Sequence, residues 1–144
     1  MTAEARIREM FASVTQAMHD KDADALLADT ADDVLTYDLA PPLLTRGLDR
    51  NGVQEWFDTW DGPIEFEVRD LEITAGEEVA FATSLNRIGG ETANGGGRSE
   101  VWVRQTTGFV KRDGRWTMTH RHESVPFHMD GSVKAAVDLK PDGE

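Results

Sequence analysis

Trp116-Thr117-Met118-Thr119-His120-Arg121-His122-Glu123-Ser124-Val125-Pro126-Phe127 is the stretch on which the reading of the fold turns. Side chains two residues apart on a strand share a face. One face reads Trp116, Met118, His120, His122 and Ser124; the other reads Thr117, Thr119, Arg121, Glu123 and Val125. The first begins as core and turns polar over its last three members, and an apolar wall ending in convergent polar groups is the make-up of a ligand pocket. The expectation is a strand that forms the back wall of a cavity, with His120, His122 and Ser124 inside and Arg121 and Glu123 on the outer face.

Upstream, Glu100 through Lys111 reads as a strand, joined to this one by Arg112-Asp113-Gly114. As a three-residue turn with Gly114 left-handed, this link pairs Lys111 with Arg115, sets Arg104 opposite His122 and Thr106 opposite His120, and brings Trp102 beside Ser124. If Asp113-Gly114 alone turns, Gln105 and Thr107 take those places and Arg104 pairs with Glu123 outside, because a one-residue slip flips every side chain. The three-residue turn is the preferred reading. Before it, Val79 through Ile88 is a strand, and Ile64, Phe66 and Val68 alternate, followed by Leu71 and Ile73 on the opposite parity. That phase slip marks a bulge. Gly89 through Gly97 is a hairpin loop; no Lys-Ser/Thr and no helix start follow it, so it is not a phosphate cradle.

The first half of the chain is helical. Ile7, Met10, Phe11, Val14 and Met18 recur at helical spacing after Thr2, a capping residue, so a first helix runs to about Asp20. Asp22 caps a short second helix through Leu27, and Val34 through Asp38 is a strand stopped by Pro41-Pro42. After Gly47 a third helix aligns Val53, Trp56, Phe57 and Trp60, ending at Asp61-Gly62-Pro63. Helices first and hairpin strands after make an α+β fold, with a mainly antiparallel sheet curled around the helices. The tail at 141–144 is expected to fray.

Composition narrows the partners. The 144 residues are the length of one domain, and 39% hydrophobic content with four Trp supplies a real core. The formal charge of −12 repels phosphate backbones and anionic lipid, which argues against nucleic acid and membrane partners. No cysteine is present, so thiolate nucleophiles, disulfides and Cys-ligated metals are excluded. The N-terminus carries charges where a signal peptide needs an apolar run, and the expected location is cytoplasmic.

Ala31-Asp32-Asp33-Val34-Leu35-Thr36-Tyr37-Asp38, the helix after Gly47, Lys111 through Trp116, His120 through Phe127 and Lys134-Ala135 together resemble the SnoaL-like group of the nuclear transport factor 2-like superfamily, which includes polyketide cyclases and ketosteroid isomerases. The resemblance spans nearly the whole chain as one domain, 1–144. It implies a cone: a strongly curved sheet wrapped on three N-terminal helices, a pocket at the open end, no organic cofactor, and homodimers through the sheet's outer face. It also sets Asp38 at the position of the isomerases' catalytic Asp. The isomerases' oxyanion donors do not carry over, since Val14 and Thr106 stand near those positions.

The expected catalytic set is Asp38, His120 and His122: a carboxylate that moves a proton next to a carbonyl, and two imidazoles that hold the oxyanion. The expected wall for a mostly apolar small molecule is Trp56, Trp60, Trp102, Arg104, Trp116, Ser124, Phe127 and Asn86. His-x-His on a strand could also present two nitrogens to a metal, but a third ligand would have to come from Asp38 or Glu55, and no metal is assigned. A pocket of this kind serves an enzyme of the isomerase, cyclase or lyase type, or equally a non-catalytic homodimeric binding protein.

Overall fold

Thr2 accepts a hydrogen bond from the Ala5 amide at 3.1 Å and starts helix α1 (Ala3–Asp20), whose buried stripe is Ile7, Met10, Phe11, Ala17 and Met18. The computed structural model describes residues 1–143. Asp22 caps α2 (Ala23–Leu27), and Asp49 caps α3 (Arg50–Phe57) through the Gly52 amide. The strands are β1 (Thr30–Tyr37), the short β2 (Thr45–Arg46), β3 (Trp60–Ala75), β4 (Val79–Thr92), β5 (Arg98–Arg112) and β6 (Arg115–Ser124). They form one curved, unclosed sheet in the order β2-β1-β6-β5-β4-β3. Every pairing is antiparallel except β1 with β6. This is the α+β cone expected, with the helices on the concave side.

Three local readings are corrected. The third helix stops at Phe57, where the Thr59 hydroxyl donates to the Trp56 carbonyl at 2.6 Å; Trp60 is therefore the first residue of β3. Gly62, at φ +83°, serves a bulge between Asp61 and Glu65 and does not cap a helix. The link between β5 and β6 is a two-residue loop: Arg112 pairs with Arg115, and Asp113 (φ +51°) and Gly114 (φ +77°) are both left-handed, as the tight mirror-image turn requires. The bulge expected between Val68 and Leu71 is present, with Asp70 at φ +54°. The tail is tied down through Asp142, which accepts from Arg69 at 3.0 Å, while Glu144 lies outside the described residues.

A further bulge decides the site. Phe109 pairs with Met118, yet Gly108 pairs with His120, so Thr119 is a surplus residue on β6. Before it, Trp116 and Met118 face the helices; after it the parity inverts and Arg121 and Glu123 face them.

The concave face holds two apolar clusters. One joins Ile7, Met10 and Phe11 of α1 to Ala80, Ala82, Phe109 and Trp116; the other joins Met18, Ala23 and Phe57 to Ile64 and Ile88. The residues between Ala82 and Ile88 on this face of β4 belong to neither.

Candidate functional site

Between the two clusters runs a polar band that crosses four strands. β4 contributes Ser84 and Asn86, β5 contributes Gln105 and Thr107, β6 contributes Arg121 and Glu123, and Asp38 follows the last residue of β1. The register holds these together: Ser84, Gln105 and Glu123 form one cross-strand row, and Thr107 stands opposite Arg121. The Asn86 amide donates to Gln105 Oε1 at 2.9 Å, and the Gln105 amide donates to Thr107 Oγ1 at 2.9 Å. Arg121 Nη2 donates to Asp38 Oδ1 at 2.5 Å. Arg121 Nε lies 3.5 Å from Glu123 Oε1, an ion pair without a hydrogen bond.

Exposure rises steadily along the band. Asn86 is 1% exposed; the side chains of Glu123, Arg121 and Asp38 are 14%, 27% and 41% exposed. The band thus leads from the core to the open end of the cone, where β1 gives way to the loop at Leu39. Burial pushes the Glu123 carboxyl above the ordinary carboxylate range; Arg121 opposes that shift and Asp38 adds to it.

Among the described residues, Trp60 Nε1, Ser84 Oγ, Asn86 Oδ1 and Arg121 Nε are buried without a hydrogen-bond partner. Each such atom costs about 1–3 kcal/mol, so orphaned groups gathered in one region point to a bound molecule or ordered water that answers them. Ser84, Asn86 and Arg121 belong to the band. Trp60 lies over Gly90, farther along the same face of β4, where a Cβ would come within 3.2 Å of the indole.

The sequence-predicted residues divide between the two faces. His120 and His122 lie on the convex side, against the expectation, because the surplus Thr119 turns them outward. There they stack edge-on with Tyr37, at ring separations of 4.9 and 5.2 Å, and His120 Nδ1 hydrogen-bonds the Leu35 carbonyl at 2.7 Å. Arg104 and Ser124 share that side, joined by a bond from Arg104 Nε to Ser124 Oγ at 3.1 Å. Trp102 is convex too, with the Arg69 guanidinium 6.0 Å from its ring centre, so it is no part of the interior wall. Trp116 is core. Phe127 is mostly exposed beyond β6, bridged to Ala135. Trp56 is half-exposed and meets Trp60 edge-on at 6.0 Å. Asn86 and Asp38 stand in the interior band. Asp38 and His122 meet only at the rim, where they line an open depression of about 610 Å³ with Tyr37 and the loop from Leu39 to Leu44.

Arg121 and Glu123, read from the sequence as outward-facing, are the interior residues that reading missed. The available signal was Gly108, a glycine in the middle of a strand, which marks a bulge or a close backbone approach. A Cβ there would stand 3.4 Å from the His120 Cβ. Among the described residues no group of three His, Asp or Glu is placed to hold a metal ion, and no helix is long and apolar enough to cross a membrane.

A family model described as the SnoaL-like domain matches residues 7–128. A nuclear transport factor 2 (NTF2)-like protein of unknown function from Pseudomonas putida KT2440 is 31% identical, with a TM-score of 0.84 and 96% of each chain covered. Two more distant structures share the fold. One is a candidate scytalone dehydratase from Novosphingobium aromaticivorans, 17% identical with a TM-score of 0.71, covering 84% of this chain and 83% of its own. The other is a candidate ketosteroid isomerase from Shewanella frigidimarina, 20% identical with a TM-score of 0.65, covering 81% of this chain and 92% of its own. No protein of curated function matches the sequence significantly.

Proposed function

The chain belongs to the SnoaL-like family, and on that footing we propose that it takes a small, mostly apolar, carbonyl-bearing molecule into the cone and moves a proton next to the carbonyl. Asp38 is the proton acceptor, Glu123 is the neutral carboxyl that donates to the developing oxyanion, and Arg121 positions both. The observation that carries this reading is the pairing itself: two carboxyls of unlike environment on either side of one guanidinium, at 2.5 and 3.5 Å. Carboxyls pushed apart in this way can divide the base and acid roles. The likeness in fold to the isomerase and dehydratase candidates supports the reaction class. His120 and His122 are left out of the chemistry because they face away from it. The molecule works as a homodimer through the convex face of the sheet.

Turnover on a panel of cyclic ketones, β-keto esters and polyketide-type substrates tests the assignment. Asp38→Asn and Glu123→Gln should each lower kcat by at least about 10²-fold, the usual worth of a positioned acid or base. Unchanged activity in both variants ends it.

A second reading is a binding protein that does no chemistry. It is favoured by the engagement of Asp38, whose carboxylate is already taken by Arg121. Saturable quenching of Trp fluorescence with no product formed selects this reading over the first.

A further inference from the structure

We propose that the interior site selects an uncharged molecule bearing a hydroxyl group on its apolar body, and that Asn86 and Ser84 take up this hydroxyl. The inference deepens the small-molecule reading above and rests on it.

Charge comes first. Three ionisable side chains stand on the band: Asp38, Arg121 and Glu123. The guanidinium is already matched by Asp38 and flanked by Glu123, so the band offers no net positive charge to an anion. A ligand carboxylate entering here would meet two carboxyls for one guanidinium while losing its hydration, an arrangement that costs several kcal/mol. A neutral ligand is not opposed in this way.

Hydrogen bonding comes second. Asn86 is 1% exposed and Ser84 is 6% exposed, and each has an unanswered atom. Asn86 sits at the end of the chain Asn86–Gln105–Thr107. In the sense shown its Oδ1 is left without a donor; were both amides turned over, its NH₂ would be left without an acceptor. A hydroxyl both gives and receives, so it answers Asn86 in either sense, whereas a ketone oxygen answers only one. Ser84 has the same double capacity two residues away on the same face of β4. The apolar body of the ligand meets the clusters on either side of the band, and Trp60 Nε1 and Arg121 Nε remain as donors for a carbonyl oxygen.

The test is isothermal titration of the full-length protein with 6-hydroxy-1-tetralone, 1-tetralone and the 6-carboxylate of 1-tetralone. The expected order has the hydroxy ketone at least about 10-fold tighter than the parent ketone, since a site built to hydrogen-bond a hydroxyl rejects the analogue lacking it, and the carboxylate is weakest. Ser84→Ala and Asn86→Ala should each cut the preference for the hydroxyl to under about 3-fold while leaving parent-ketone binding unchanged. If Asn86→Ala fails to fold, Ser84→Ala and the order of the three ligands decide. Equal binding of the hydroxy and parent ketones would mean that the orphaned atoms hold trapped water, and it overturns the inference while sparing the small-molecule reading. Tightest binding of the carboxylate overturns it in the same way. Failure of all three to bind overturns both.

Discussion

Asp38 and Glu123 compete for one guanidinium at the mouth of the interior band, and Asp38 holds it more closely, at 2.5 against 3.5 Å. Glu123 therefore keeps the cost of burial, and its carboxyl titrates above the ordinary carboxylate range. A carboxyl raised in the folded state favours folding fully at pH values below its unfolded range, and that contribution is lost as pH rises through the folded value. Glu123→Gln should accordingly melt higher than the parent at pH 8, with the gap closing as pH falls to 4. Thermal melts across that interval check this; a variant less stable at pH 8 than the parent would mean that an ionised Glu123 is sustained by Arg121. Ser84 supplies a companion experiment. Its hydroxyl is buried and unpartnered, so Ser84→Ala should stabilise the ligand-free protein by about 1 kcal/mol, seen as a rise of a few degrees in Tm.

At the scale of elements, the hairpin of β5 and β6 shows what a sequence pattern can and cannot carry. Hydrophobic spacing located all three helices and the four long strands, because burying a face requires a period. It also located the bulge at Asp70, because apolar residues stand on both sides of that slip and reveal the change of parity. Past Thr119 the inward residues are Arg121 and Glu123, so no apolar side chain marks the inversion, and the pattern assigned His120 and His122 to the wrong face. A polar interior is illegible to a rule built on apolar interiors, which is why the site was misread where the fold was not. The turn that starts this register is itself testable. Gly114 stands at φ +77°, where an L side chain crowds the backbone, so Gly114→Ala should cost about 1 kcal/mol in a denaturant titration. Asp113→Asn should be nearly neutral, because Asn tolerates the left-handed conformation.

For the whole molecule, the convex face divides into two regions that bear differently on association. Around Arg87 an ionic group gathers Glu65, Glu67, Arg98 and Glu100. Arg98 and then Arg87 hold the Glu65 carboxyl down to about 2, so its contribution to stability is present at neutral pH and fades only as pH falls toward that value. Toward the start of β4, Val79 and Phe81 project from the same face with 64% and 49% exposure, and Phe81 lies across from Gly108. Apolar side chains this open are the natural centre of the homodimer, with the charged group as its rim. Each copy carries a formal charge of −12, so two copies repel while the apolar contact draws them together. Lowering ionic strength from about 150 to about 10 mM lengthens the screening distance from about 8 to about 30 Å, and the dimer should weaken. Sedimentation equilibrium at both salt concentrations reads this directly, and Phe81→Glu should give monomer at either. Tighter association at low salt would instead assign the contact to the ions around Arg87, and monomer throughout would leave the convex face free of a second copy.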